Sequence, residues 1–171
     1  MALRPIITAP DPLLKQVSKP VAGVTDELRA LMDDMLETMY EAPGIGLAAV
    51  QIGVPLCVVV IDISRDEENP EPQYFVNPEI TWMSEELATY EEGCLSVPEF
   101  NADIDRPAEV KFNYLDYDGA AQEIHADGLL ATCIQHEMDH LKGVLFIDHL
   151  SSIKRNIIVR KLVKASKQVA E

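Results

Sequence analysis

His136, Glu137 and His140 lie in the run GLLATCIQHEMDHLKG. On an α-helix, residues four apart sit one turn above each other on the same face, so these two imidazoles can reach one divalent ion. Glu137 projects about 80° from their mean direction, near enough to hold a water acidified by the ion and take its proton without itself being a ligand. The chemistry available to such a set is metal-assisted hydrolysis of an amide.

Two histidines leave a catalytic metal one protein ligand short. The metzincin pattern would place a third histidine three residues after Gly143, where Phe146 stands. A gluzincin would take a downstream glutamate, and only Glu171 follows Glu137. Asp148 and His149 come after a Gly-terminated helix with little chain in which to turn back. The better candidate is upstream: Cys94, in EEGCLSVP, is a soft thiolate donor, and Cys94 with His136 and His140 leaves a fourth position for water. By softness the set suits zinc.

These residues need a frame. Thr25 can cap a helix with Asp26 and Glu27 in its first turn and Leu28, Leu31, Met32, Met35, Leu36 and Met39 on one face, stopped by Pro43 and Gly44. Before it, five Pro and Gly residues break the first 24 positions into short extended pieces that wrap the core. LCVVVIDI (Leu56 to Ile63), QYFVNP and the stretch Leu87 to Tyr90 read as strands, and VKFNYL turns at Asp118–Gly119 into a hairpin. Asp127 can cap the helix from Gly128 to about Leu141. The segment from Ser151 reads as a last amphipathic helix with Ile153, Ile157, Leu162 and Val163 inward.

The chain has 171 residues, 47% hydrophobic and 25% charged, which fits one folded unit and excludes a disordered tail or a disulfide scaffold. A single catalytic domain over 1–171 is expected. No apolar run reaches membrane-spanning length, and the N-terminal segment lacks the hydrophobic stretch of a secretory signal, so a cytoplasmic location is expected. Three cysteines (Cys57, Cys94, Cys133) are read as free or metal-bound thiols. The net charge of −15 argues against specific DNA binding. It is uneven: 151–171 holds six basic residues and Glu171, a balance of +5, leaving −20 on the rest.

Three segments, GIGLAAVQIG, EGCLSVP and QHEMDH, in this order and with these separations, resemble the signature motifs of peptide deformylases, and the likeness runs over nearly the whole chain. The resemblance implies an α+β fold with mixed and antiparallel strands around the HExxH helix. It implies removal of the formyl group from the N-terminal methionine of nascent peptides, with Cys94, His136 and His140 on the metal and Glu137 as base. It further implies Fe2+ as the working ion, replaceable by Zn2+, Ni2+ or Co2+. Gln51 and the Leu95 N–H are implied as donors to the developing oxyanion, backbone near Ile45 and Gly46 as a strand partner for the substrate, and Gly93 as a further substrate-binding residue. Ile45, Tyr90, Leu129, Thr132 and Cys133 would line the methionine pocket, with core packing as the alternative for Leu129 and Cys133. Tyr90 and Thr132 stand where the family carries aliphatic residues, and Asn101 where many bacterial members carry a basic one. Glu92 and Arg106 can form a buried pair behind Gly93; Cys57 reads as a small core residue. The basic C-terminal helix is expected to touch the ribosome transiently. A metallopeptidase acting on internal amides, and a binding homologue without turnover, are the alternatives.

Overall fold

A computed structural model describes residues 2–170; Glu171, counted above in the charge of the tail, lies outside them. Helix α1 (Asp26–Glu41) starts at Thr25, whose hydroxyl accepts from Leu28 N–H at 3.2 Å, a cap worth about 1 kcal/mol. Its buried stripe is Leu28, Leu31, Met32, Met35 and Met39, while Leu36 is only partly covered.

The stripe packs on one face of a five-stranded antiparallel sheet in the order β1 (Gly46–Ala48), β2 (Val58–Ile61), β3 (Gln73–Met83), β6 (Val110–Leu115), β7 (Ala121–Ala126). Helix α2 (Gly128–Leu141) covers the other face. The run VVVI in β2 is unbroken because both faces are buried: Val58 and Val60 turn toward α1, Val59 and Ile61 toward Ile134 and Met138 of α2. Two strands, β4 (Leu87–Cys94) and β5 (Val97–Pro107), form a separate hairpin. The one parallel contact among the described residues is an isolated bridge from Lys19 to Leu56. The fold is α+β, with antiparallel sheets and α2 enclosed at its centre.

Asn77 shows how the N-terminal segment is tied down. It takes a left-handed backbone (φ 50°) at a bulge in β3, and its side-chain amide both accepts from Val21 N–H at 2.9 Å and donates to Val21 C=O at 2.8 Å.

Two sequence expectations are corrected, one strand is added and one cap is refined. The strand read over Leu56 to Ile63 is only Val58–Ile61, so Cys57 precedes it, half-buried, with its thiol 3.5 Å from the Ser18 carbonyl; burial pushes that thiol up. Strand β5 was not anticipated, because VPEFNADIDRP is rich in strand-poor residues, yet it pairs along β4 from Leu87↔Pro107 to Gly93↔Asn101. Asp127 caps α2 with its backbone carbonyl, which accepts from Ala131 N–H, and not with its side chain. In α3 (Ser152–Ala170) the inward seam is Ile158, Val159 and Leu162, whereas Ile153 and Ile157 are 74% and 46% exposed. Ile153 and Leu162 are nine residues apart, half a turn out of phase at 100° per residue, so they cannot share a face. No described helix is long and apolar enough to cross a membrane.

Candidate metal centre

The α2 helix is enclosed on all sides from Ala131 to Met138, which brings His136 and His140 into the interior, 7% and 0% exposed. Their rings pack edge to face at 5.1 Å between centroids. Cys94 arrives from the end of β4, where a register shift after Gly93 swings the chain out of the ladder and into the turn that contains Leu95. The thiol sulfur lies 3.3 Å from His140 Nε2, and one ligand atom of each of Cys94, His136 and His140 falls within 4.8 Å of the others. Sulfur and nitrogen sharing one tetrahedral zinc-like ion sit about 3.5 Å apart. The donor set therefore fits a divalent ion.

Electrostatics agree with that fit. Burial would lower His136, but Cys94, Glu92 and Glu137 around it raise it well above its ordinary value. Burial and the neighbouring His136 push His140 well below its own. Three anionic or thiol groups thus face two imidazoles at the place where positive charge is wanted.

A chain of charge-assisted bonds supports His136 from behind. Its Nδ1 is 2.9 Å from Glu92 Oε1. Arg106 donates to both Glu92 oxygens, from Nε at 2.7 Å and Nη2 at 2.9 Å, so the expected buried pair is present. A third donor, Arg106 Nη1, reaches Asp139 Oδ2 at 2.8 Å, and His149 Nε2 meets the same oxygen at 2.8 Å. Burial alone would raise Glu92, but His136 and Arg106 outweigh it and hold the carboxyl below its ordinary value. Asp139 went unnoticed in the sequence, and His149 was weighed there only as a metal ligand, not as a partner of Asp139. The signal for Asp139 was its spacing, three residues after His136 on one helix; nothing in the sequence marked that pairing for His149, which returns from the turn after α2.

In front of α2 a cleft of about 1280 Å³ opens, and its walls include Ile45, Gly46, Tyr90, Gly93, Cys94, Leu95, Leu129, Thr132, Cys133, His136 and Glu137. Eleven of the thirteen sequence-derived site residues therefore meet at one cleft. Glu137 is 4% exposed, its Oε2 has no partner among the described residues, and burial lifts its carboxyl to about 7. A methyl group on Gly46 would sit 2.6 Å from Glu137 Oε1 and 3.1 Å from Cys133 Sγ, so only glycine lets β1 approach this carboxylate. His140 and Gln51 lie just behind the wall. Gln51 sits in a 3-10 turn (Ala49–Ile52); its Oε1 accepts from Ala48 N–H, and its Nε2 donates to Ser96 Oγ at 3.0 Å and leans on Cys94 Sγ at 3.6 Å. Asn101 lies across the hairpin from Gly93, its Oδ1 2.3 Å from where a Gly93 methyl would stand.

The family model for polypeptide deformylase matches residues 3–156. The chain belongs to the polypeptide deformylase family. A peptide deformylase of Phenylobacterium zucineum is 63% identical over 167 residues, covering 98% of this chain and 99% of the relative. The crystal structure of a Legionella pneumophila peptide deformylase superposes with a TM-score of 0.90 at 45% identity, covering 99% of each chain. That of the Ehrlichia chaffeensis enzyme in complex with actinonin also gives 0.90, at 41% identity over 96% of this chain and 98% of that one. Like other deformylases, this chain is a metal-dependent hydrolase that removes the N-formyl group from the N-terminal methionine of nascent polypeptides and releases formate.

Proposed function

We propose that Cys94, His136 and His140 hold the metal, that the working ion is Fe2+, with Zn2+, Ni2+ or Co2+ able to replace it, and that Glu137 moves the proton. The observation that carries this reading is the convergence of three ligand atoms within 4.8 Å beside an unpartnered Glu137 Oε2. When bound, the ion supplies Lewis acidity, polarising the formyl carbonyl and acidifying a water. Glu137, whose carboxyl burial raises, accepts the proton of the attacking water and returns it to the leaving amine. The Leu95 N–H and the Gln51 amide donate to the oxygen as it becomes negative; one such donor is worth about 10²–10³ in rate. Ile45, Gly46 and Gly93 offer backbone to the peptide in strand pairing, which tolerates varied side chains downstream. Leu129, Thr132, Cys133 and Tyr90 receive the methionine side chain.

The same reading treats residues 1–171 as one catalytic domain in the cytoplasm, with transient ribosome contact through α3. Arg155 is bound to Asp148 Oδ1 at 2.8 Å, which leaves Lys154, Arg160, Lys161, Lys164 and Lys167 exposed for phosphate. Charge reversal at Lys161 and Lys164 should abolish low-salt co-sedimentation with ribosomes; unchanged co-sedimentation removes the contact. For the site itself, anaerobic purification with metal quantification should find about one ion per chain, mainly iron. The preparation should hydrolyse formyl-Met peptides and leave acetyl-Met peptides intact; equal action on both would contradict a formyl-sized site.

A further inference from the structure

Thr132 lies one helical turn before His136 on the same face of α2 and is 6% exposed. Threonine inside a helix commonly returns its hydroxyl to the carbonyl one turn back. Here the hydroxyl makes no hydrogen bond among the described residues and is not among the fully buried unpartnered atoms, so it is open to the cleft, whose wall the side chain forms between Leu129 and Cys133. A hydroxyl left open on an otherwise apolar stretch of pocket is costly unless the occupant offers an acceptor.

Methionine offers a poor one, since its thioether sulfur accepts weakly. Oxidation at that sulfur places a strong acceptor oxygen one bond away and makes the sulfur chiral. A turn of helix spans about 5.4 Å, so a side chain whose formyl group lies against His136 brings its sulfur to the level of Thr132. We propose that the side-chain pocket also takes N-formyl-methionine sulfoxide at the start of a peptide, with Thr132 Oγ1 donating to the sulfoxide oxygen. Thr132 is then a specificity-determining residue of the deformylation reaction. This rests on the reading that Leu129, Thr132 and Cys133 receive the first side chain.

The test compares kcat/KM on the metal-loaded enzyme for peptides that differ only in their first residue: formyl-Met, each epimer of formyl-Met sulfoxide, and formyl-norleucine. In the wild type the better epimer should fall within about 30-fold of formyl-Met, and the two epimers should differ. Thr132→Val should lower the better epimer at least about 5-fold relative to formyl-norleucine, the loss expected for one neutral hydrogen bond, and should erase the epimer preference. Thr132→Ser should restore both. A sulfoxide-to-norleucine ratio unchanged by Thr132→Val overturns the proposal, as does a wild-type deficit beyond that limit. Thr132→Ala gives the same comparison should the valine variant not fold. Leu129→Phe separates the underlying reading: it should impair all four peptides, and if it impairs none the pocket lies elsewhere and the proposal falls with it.

Discussion

Helix α2 divides two regions of opposite character. Behind it, Glu92, Arg106, Asp139 and His149 form a closed series in which each charge has a partner within 2.9 Å, and Glu92 is held below its ordinary pKa. In front of it, Glu137 is buried as deeply as Glu92 but has an oxygen with no partner among the described residues, and burial lifts it to about 7. The same residue type on two sides of one motif thus has two environments. On the proposed reading, pairing fixes a metal ligand, and the unpaired carboxylate is free to exchange a proton. A buried polar atom without a partner costs on the order of 1–3 kcal/mol, which a stable fold tolerates where substrate, water or metal completes the site.

The comparison breaks most severely if a ligand is removed. His140→Ala should lose the metal and several kcal/mol of transition-state stabilisation, on the order of 10³-fold in rate, read by metal analysis beside formate release. Next is the paired side. Arg106→Ala leaves Glu92 buried without its main partner and should cost about 3–5 kcal/mol in denaturant unfolding, together with weaker metal retention. A smaller effect tests the far end of the series: His149→Gln removes a half-exposed partner of Asp139 and should change stability by less than about 1 kcal/mol. A change as large as that of Arg106→Ala would mean that the surface end, and not the buried pair, fixes the helix.

The smallest prediction concerns pH. Burial alone would raise Asp148, but Lys15, the Leu145 N–H and Arg155 outweigh it and lower its pKa. Because the folded value is depressed, its contribution is present above the ordinary carboxylate value of about 4 and is lost as pH falls from there through the folded value. The stability gap between the wild type and Asp148→Asn should therefore shrink over that acidic window. A gap that widens on acidification would contradict the ion-pair account of how the N-terminal segment and α3 are joined.

The paired and unpaired regions were not equally legible in the sequence. The helical spacing of HEMDH and the soft donor in EGCLSVP are local patterns with direct chemical meaning, and the cleft gathers Cys94, His136, Glu137 and most of the expected wall. Helix α1 and the β6–β7 hairpin were equally open to reading, since periodicity and the Asp118–Gly119 turn act within a few residues. Strand β5 was hidden because its stability comes from pairing with β4 and from burying Val97, Ile104 and Arg106, not from strand-forming composition. Arg106 and His149 meet Asp139 only in three dimensions, so a one-dimensional pattern carries no trace of their meeting. The inward face of α3 was misread by summing apolar residues without following their phase.

Glu137→Gln bears on the central claim most directly, because it removes a proton carrier and no ligand. Purified anaerobically and assayed with a formyl-Met peptide, this variant should keep about one metal ion per chain and the wild-type stability while formate release falls by about 10²–10⁴. Full metal occupancy with near wild-type turnover would show that Glu137 does not move the proton and that the account of the unpaired side is wrong.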